Sequence, residues 1–243
     1  MTDFPPAGLP ERRRPSLTAR WSNLALLTYD VEPSLVSGWL AGDVEPDLVD
    51  GRALVSLMAF DFVDTRIRGR RIPGFVDFPE INFRTYVRQG ERRGVVAIRE
   101  LVPSPLAAAI GRLRFNEPFR SAPMESRTAS LGDELVVEHR WRWEDRRYFL
   151  RMTADQTSTS SPPDGSAHHL LGRRWAYGRS RRGEPVVLRV EHPEWALRRV
   201  RTVDFDVDFA ALYGPEWTGL NGRQPISSYL AVGSAVAIFP PGR

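Results

Sequence analysis

The fold of this chain is decided by residues 79–87, Pro-Glu-Ile-Asn-Phe-Arg-Thr-Tyr-Val, in which side chains of two kinds alternate. The odd-numbered positions are mostly apolar, and the even-numbered positions carry a carboxylate, an amide, a guanidinium and a phenol. A period of two predicts a β-strand with one apolar and one polar face. The polar face carries Glu80, Asn82, Arg84 and Tyr86.

Two interpretations of this polar face are open. If it points into a closed sheet, its side chains line a pocket, where they can orient a small anionic substrate and move a proton. If it points to solvent, the apolar face fills the core and the polar groups need no chemical role. Alternation alone favours the solvent-facing interpretation.

The segments around this strand predict more strands and a few short helices. Residues 94–101 follow a Gln-Gly-Glu turn and form its predicted hairpin partner. Residues 104–113 predict a helix, because Ser104 can cap its start and Pro105 suits its first turn. The other predicted helices are 33–40, 166–175 and 206–213, and the other predicted strands are 20–29, 53–63, 124–130, 134–143, 147–153, 185–191, 195–203 and 229–239.

Roughly nine strands with short helices between them predict an α+β, mainly β fold. So many strands must curl into a barrel or split into two sheets, and we favour a large antiparallel barrel with helices packed outside. Residues 1–15, with four prolines and three consecutive arginines, predict a flexible arm. Residues 16–243 predict a single domain, within which residues 155–165, rich in Ser, Thr and Pro, predict a loop.

The composition excludes several chemistries. The chain has no cysteine, which excludes disulfides, thiolate nucleophiles and cysteine-ligated metal sites. It has no lysine either, so all 34 basic residues are arginine and no lysine Schiff base can form. No stretch has the roughly 18 to 20 apolar residues that span a membrane, and no secretory signal opens the sequence. We therefore expect a cytoplasmic protein with no membrane partner.

The charge pattern does not predict a nucleic-acid partner. The net charge is only +4, and the two arginine clusters, at residues 66–71 and 179–182, lie beside glycine or serine as loop residues do. A nucleic-acid interface needs a continuous basic face with aromatic side chains between the charges. The expected partner is instead a small molecule, bound by a monomer or a homodimer.

The histidines do not predict a metal site. His168 and His169 are adjacent, so on a helix they point about 100° apart and cannot chelate one ion as an i, i+4 pair does. His192 precedes a proline, which is typical of a turn residue. The sequence contains no phosphate-binding glycine loop, nucleophile elbow or zinc-binding helix motif. No metal and no other cofactor is therefore predicted.

Residues 78–87 resemble the Glu-x-Asn-x-Arg-Thr-Tyr-Val signature of an uncharacterised bacterial family, often called YqjF-like, that is similar to acetoacetate decarboxylase in fold. The resemblance covers roughly residues 17–240 and implies a conical antiparallel β-barrel around a buried pocket. Further segments that resemble the family are GRLRFNEPFRSAPM at 111–124, HLLGRRWAYG at 169–178, VEHPEWAL at 190–197 and SSYLAVGSAVAIFPP at 227–241.

The resemblance also implies roles for individual residues. In acetoacetate decarboxylase a pocket glutamate lies on a strand, and Glu80 resembles it. The lysine that forms the Schiff base there follows a proline. That proline resembles Pro118, but Phe119 and Arg120 stand where the lysine pair would be. Arginine stays protonated and offers no free amine to a carbonyl. The chain therefore departs from the decarboxylase at the residue that defines its mechanism.

These observations predict a cofactor-independent enzyme that uses acid–base chemistry on a carboxylate- or carbonyl-bearing metabolite, in a lyase, dehydratase, isomerase or cyclase reaction. The predicted catalytic residues are Glu80 for proton transfer, Arg84 as the anion clamp, and Tyr86. A non-catalytic barrel that binds a small molecule is the alternative, and a structural module with a Glu80–Arg84 pair is a third interpretation. The predicted substrate-binding residues are Asn82, Arg120, His169 and Tyr177.

Overall fold

Strands make up most of the part of the chain that the computed structural model describes, namely residues 14–115, 118–160, 165–179 and 185–240. The described strands are β1 (Leu17–Val31), β2 (Glu45–Pro46), β3 (Ala53–Ile67), β4 (Phe78–Gln89), β5 (Arg92–Val102), β6 (Phe119–Ser121), β7 (Met124–Leu131), β8 (Glu134–Trp143), β9 (Arg146–Ser160), β10 (Trp175–Arg179), β11 (Pro185–Glu191), β12 (Ala196–Asp206) and β13 (Ser227–Phe239). The described helices are α1 (Pro33–Ser37), α2 (Pro105–Ile110), α3 (Ser166–Leu171) and α4 (Phe209–Tyr213), with a π-helical turn at Gly111–Phe115 and a 3-10 helix at Pro215–Leu220.

Seven of the described strands form a closed ring. Their order is β1, β3, β4, β5, β10, β11 and β13, and β13 pairs back with β1. Strands β12, β9, β8 and β7 continue the sheet from β13 beyond the ring. The predicted fold class, mainly β with one large sheet and short flanking helices, is confirmed. The sheet is mixed rather than wholly antiparallel, because β10 and β6 both run parallel to β5.

The ring closes where the first and last described strands pair. The β1–β13 register begins with Leu17 opposite Ile238, and β1 is irregular after Ser22. Such irregularities bend a strand and increase its twist, which helps a sheet to curl. Gly233 lies opposite Ser22 with φ +84°, and a side chain there would overlap the backbone of Trp21. Glycine at this position therefore allows the two strands to approach closely.

Both faces of β4 are buried. On the apolar face, Phe83 contacts Phe209 and Tyr213 of α4 and Trp217 of the 3-10 helix, with ring centroids 5.5, 4.4 and 4.9 Å apart. These rings belong to a core cluster that also contains residues of β8 and β9. The polar face points into the ring, which excludes the solvent-facing interpretation of residues 79–87.

Helix α2 begins where the sequence predicts it. The Ser104 hydroxyl accepts hydrogen bonds from the backbone N–H groups of Leu106 and Ala107 at 3.2 and 3.4 Å, and Pro105 occupies the first turn. These contacts satisfy N–H groups that have no partner within the helix. All helices in the described ranges are short, and none of them has the length and apolar character needed to cross a lipid bilayer.

Several sequence predictions of local structure are wrong. The first part of the predicted loop at 155–165 is strand, because β9 continues to Ser160 and pairs with β12. The predicted helix at 166–175 ends at Leu171, and β10 begins at Trp175. The polar residues at 155–160 are compatible with an exposed part of a strand as well as with a loop, so the composition did not distinguish the two. Residues 1–13 of the predicted arm and residues 161–164 and 180–184 lie outside the described ranges.

His139 predicts a loss of stability in acid. It lies buried on β8, and burial lowers its pKa to about 4, against about 6.5 in an unfolded chain. At a pH between these two pKa values, His139 binds a proton in the unfolded chain but not in the folded chain. The free energy of unfolding therefore falls as the pH drops. The loss from this group between pH 7 and pH 4.5 is about 2.5 kcal/mol.

Urea titrations of the wild type and of His139→Leu at pH 7 and pH 4.5 measure this contribution of His139 to the free energy of unfolding. Other groups contribute equally to both proteins, so the variant should lose about 2.5 kcal/mol less than the wild type. An equal loss in both proteins would show that His139 does not control the acid response.

Candidate functional site

A cavity of about 110 Å³ lies inside the ring. All seven ring strands contribute to its wall, for example β1 through Trp21, β3 through Phe60 and β13 through Ile238. Most of the lining is apolar and much of it is aromatic, which is the usual character of a small-molecule site. The polar and charged lining residues are Glu80, Asn82, Arg84, Glu100, Arg173 and His192.

Three of the four polar residues predicted on β4 line this cavity. Glu80, Asn82 and Arg84 have only 3%, 8% and 7% of their surface exposed. Alternate residues on a strand are about 7 Å apart, so the row is about 13 Å long between its outer α-carbons. Tyr86 is buried outside the cavity lining, and its hydroxyl lies 2.8 Å from the Ser56 hydroxyl.

Asn82 brings two buried carboxyl groups together. Its amide nitrogen donates to Oε1 of Glu100 at 2.6 Å and lies 3.4 Å from Oε1 of Glu80. Carboxyl groups that line a cavity can take up and release protons, so this pair is suited to acid–base chemistry on a small molecule.

Glu100 is a cavity residue that sequence alternation does not predict. Val95 and Ala97 of β5 line the cavity, so strict alternation would place Glu100 on the opposite face. The register between β4 and β5 shifts between Phe83 and Arg84. The additional residue on β5 reverses the order of the two faces, and Glu100 joins the cavity wall.

Arg84 is a buried guanidinium whose hydrogen-bonding capacity is only partly used. Its Nη2 donates to the carbonyl oxygen of Leu170 at 3.4 Å, and its Nε has no hydrogen-bond partner. The guanidinium carbon lies 5.6 Å from the centre of the Tyr86 ring. A buried charge without its full set of hydrogen bonds is costly, so the Nε–H of Arg84 is a donor that a ligand can use.

Arg173 is a second guanidinium on the cavity wall, and contacts behind it fix its orientation. Its Nη1 donates to Oδ2 of Asp47 at 2.6 Å, and its Nη2 donates to Nε2 of His169 at 2.6 Å. Its Nε donates to the carbonyl oxygen of His169 at 2.5 Å. Arginine has five N–H groups, so two remain for a ligand. Nothing in the alternation of the sequence predicts Arg173, which follows α3 in an irregular segment.

His169 supports Arg173 and does not itself line the cavity. Burial lowers the pKa of His169, and the nearby Arg173 and Arg93 lower it further. The neutral ring can accept the hydrogen bond of Arg173 through Nε2, whereas a protonated ring would oppose it. The structure therefore places His169 behind a binding residue rather than against the ligand.

Two other predicted substrate-binding residues lie away from the cavity. Arg120 on β6 is exposed, and its Nη1 donates to the carbonyl oxygen of Phe119 at 3.2 Å. Tyr177 on β10 is buried in a separate cluster with three valines, and burial raises the pKa of its hydroxyl. The structure brings neither of them together with Glu80, because adjacent strand residues point to opposite faces and Phe119, not Arg120, faces inward.

His192 lines the cavity, although its position before a proline is typical of a turn residue. Its ring stacks on Trp195 with centroids 4.1 Å apart and planes inclined by 16°. Burial lowers the pKa of His192, so the ring is neutral near pH 7. The indole N–H of Trp195 donates to the Ser234 hydroxyl at 2.8 Å and fixes the stacked pair. The imidazole therefore contributes a polar but uncharged group to the wall.

A second depression lies directly outside this wall. It measures about 240 Å³ and shares Leu171, His192 and Trp195 with the inner cavity. A single layer of side chains therefore separates the two spaces. Its outer rim carries His168 and Glu194, whose nearest side-chain atoms are 3.4 Å apart.

The family model of DUF2071, described as an uncharacterised conserved protein, matches residues 18–234. The chain belongs to this family. The uncharacterised protein YqjF of Bacillus subtilis (strain 168) is 29% identical over 179 residues, which cover 73% of each chain. The DUF2071 segment includes the ring strands except for Leu17 of β1 and residues 235–239 of β13, and it includes every residue of the cavity wall except Leu17 and Ile238.

Solved structures with the same fold include enzymes that act on small molecules. The enduracididine biosynthesis enzyme MppR, complexed with pyruvate, superimposes with a TM-score of 0.63 at 15% identity, covering 98% of this chain and 93% of MppR. Acetoacetate decarboxylase from Legionella pneumophila gives 0.60 at 15% identity, covering 98% and 92%. An acetoacetate decarboxylase-like enzyme from Sphingomonas wittichii RW1 gives 0.59 at 14% identity, covering 94% and 92%. At these identities the likeness establishes the acetoacetate decarboxylase-like fold.

Proposed function

We propose that the DUF2071 chain binds a small carboxylic acid with a carbonyl group inside the ring and moves a proton on it. The observation that carries the proposal is the buried, incompletely hydrogen-bonded Arg84 beside the Glu80–Asn82–Glu100 cluster in an otherwise apolar cavity. A guanidinium matches a carboxylate in shape and charge. The pyruvate complex of MppR supports a ligand of this class.

In the proposed reaction, the substrate carboxylate contacts the free N–H groups of Arg84 and Arg173. In its ionised form, Glu80 removes a proton from the carbon beside the carbonyl. The electron pair of that C–H bond moves towards the carbonyl oxygen, and an enolate forms. The guanidinium groups stabilise its charge in a site from which water is largely excluded. Return of the proton to a different atom gives an isomerisation, and departure of a leaving group gives an elimination.

Glu100 and Asn82 have a supporting role in this proposal. The short hydrogen bond from Asn82 holds the Glu100 carboxyl group and leaves Glu80 with the longer contact of the two. In the proposal, Asn82 therefore positions both carboxyl groups at one place on the cavity wall.

The proposed chemistry proceeds without a lysine Schiff base. The chain has no lysine, and the phenyl ring of Phe119 lines the cavity next to Pro118. We expect that incubation with pyruvate and sodium borohydride produces no covalent adduct beyond reaction at the N-terminal amine. Intact-protein and peptide mass spectrometry measure this. A stoichiometric adduct on a residue of the ring interior would contradict the proposal.

Deuterium incorporation tests the proton transfer before the complete reaction is known. Pyruvate and 2-oxobutanoate are incubated with the protein in D₂O, and proton NMR follows the C–H signals beside the carbonyl. The proposal expects these signals to decay faster with the protein than with buffer alone. Saturable binding of these acids without any exchange would instead identify the alternative function, a non-catalytic barrel that binds a small acid. Absence of both binding and exchange would refute both functions.

A further inference from the structure

The phenyl ring of Phe119 lines the cavity and packs between two neighbours. Strand β6 runs parallel to β5 and places Phe119 beside Glu100, and both side chains line the cavity. On its other side the ring lies against Gly111, where any Cβ would overlap it. Glycine at this position therefore allows the ring to pack between the strand and the π-helical turn.

The strand register orders the groups along the wall. Arg84 lies on β4, Asn82 of the same strand pairs with Glu100 on β5, and Glu100 pairs with Phe119 on β6. Adjacent strands are about 4.8 Å apart, and alternate residues of one strand about 7 Å. For an acid whose carboxylate contacts Arg84 and whose carbon chain extends along Glu80 and Glu100, the phenyl ring of Phe119 therefore lies at the far end of that chain.

The volume of the cavity limits what fits between these groups. It measures about 110 Å³, whereas a cavity of roughly 150 Å³ accommodates one benzene molecule. By this comparison the cavity holds about four to six non-hydrogen atoms. Acetate, propionate, pyruvate and butanoate are within this range, and hexanoate is beyond it.

We propose that Phe119 is the specificity-determining residue for chain length and restricts the ligand to acids of at most about four carbons. The inference rests on the proposed function, because it takes the Arg84 end of the cavity as the carboxylate site. Replacing phenylalanine by alanine removes six side-chain carbons, and replacing it by leucine removes three. The two variants should therefore extend the accepted chain by different amounts.

Ligand-detected NMR titrations with straight-chain acids from acetate to octanoate test this inference. The wild type should bind the acids up to butanoate best and lose affinity with each further methylene. In Phe119→Ala the affinity should rise about fourfold per methylene from butanoate to hexanoate, as expected when each group enters an apolar space. Phe119→Leu, which keeps more of the packing, should shift the maximum by a smaller amount.

Phe149→Ala is the matched control, because Phe149 lies on β9 and does not line the cavity. It should keep the wild-type chain-length profile. If both Phe119 variants also keep that profile while still binding short acids, Phe119 does not set the length, and the proposed function stands without this inference. If no acid in the series binds to the wild type, the proposed function fails and this inference fails with it.

Discussion

Replacing Arg84 by methionine is expected to weaken acid binding strongly while leaving the free energy of unfolding unchanged or raising it by up to about 2 kcal/mol. Methionine fills most of the space of the arginine stem and removes a buried charge whose Nε has no hydrogen-bond partner. The lost contact with a carboxylate is worth about 1.5 to 3 kcal/mol, which weakens binding about 10- to 150-fold. Urea unfolding and NMR titration with propionate measure the two effects.

Arg173→Met is the matched comparison, because it makes the same change on the same cavity wall. Arg173 is ion-paired with the buried Asp47, with Nη1 and Oδ2 2.6 Å apart. Removing one member of a buried pair leaves the other charge uncompensated, so this variant should lose about 3 to 5 kcal/mol of stability. The two arginines should therefore differ in the size and direction of the stability change.

A large loss of stability in Arg84→Met would contradict this expectation. It would show that Arg84 is the structural counter-ion of Glu80 and Glu100 rather than a binding group. That result would favour the third interpretation of the sequence, a module whose glutamate and arginine satisfy each other in the core. The stability measurement therefore separates a structural role from a binding role without any knowledge of the substrate.

The strand pattern predicts a mainly β fold and one polar face on β4, whereas the interior position of that face was implied by the family resemblance. In a mainly β chain, one face of each ring strand must look inward, so polar residues that alternate along β4 reach the interior together. The decision between interior and solvent required information from outside the strand. In the structure, aromatic side chains of α4 and the 3-10 helix cover the apolar face of β4 at Phe83, and the polar face is therefore the one that lies inside the ring.

The residues that sequence reasoning missed lie where periodicity is broken. Glu100 follows a register shift, which changes the face of every later residue on β5. Arg173 lies in the irregular segment between α3 and β10, and His192 lies between β11 and β12. Alternation carries no information about side-chain direction in such segments. The signals that were present were chemical: an arginine and a histidine within the segments that resemble the family.

Arg120, His169 and Tyr177 were predicted to bind the substrate, but none of them lines the cavity. Their residue types suit a binding site, but type does not determine direction. Arg120 is one residue from Phe119 on β6 and therefore faces away from the cavity. Tyr177 packs outside the cavity lining, in a cluster with Val44, Val87 and Val96. His169 contacts the site through its two hydrogen bonds with Arg173.

Replacing Glu80 by glutamine is expected to reduce protein-catalysed deuterium exchange of a 2-oxo acid by about 100- to 10,000-fold, the usual contribution of a positioned general base. The substitution keeps the shape of the side chain and its buried position and removes only the group that titrates. Binding of the same acid should change little, because Arg84 and Arg173 remain. Exchange rates by proton NMR in D₂O and affinities by NMR titration separate the two effects.

Glu138→Gln is the matched control for that experiment. Glu138 is also a buried glutamate on a strand, but it does not line the cavity, and it is paired with Arg140 and Arg151 at 2.9 and 2.5 Å. Its replacement should leave exchange at the wild-type rate. If Glu80→Gln and Glu138→Gln both exchange at that rate, Glu80 is not the base. If Glu80→Gln loses binding as well as exchange, the glutamate supports the site rather than the proton transfer, because a base that acts only in the reaction step does not alter affinity.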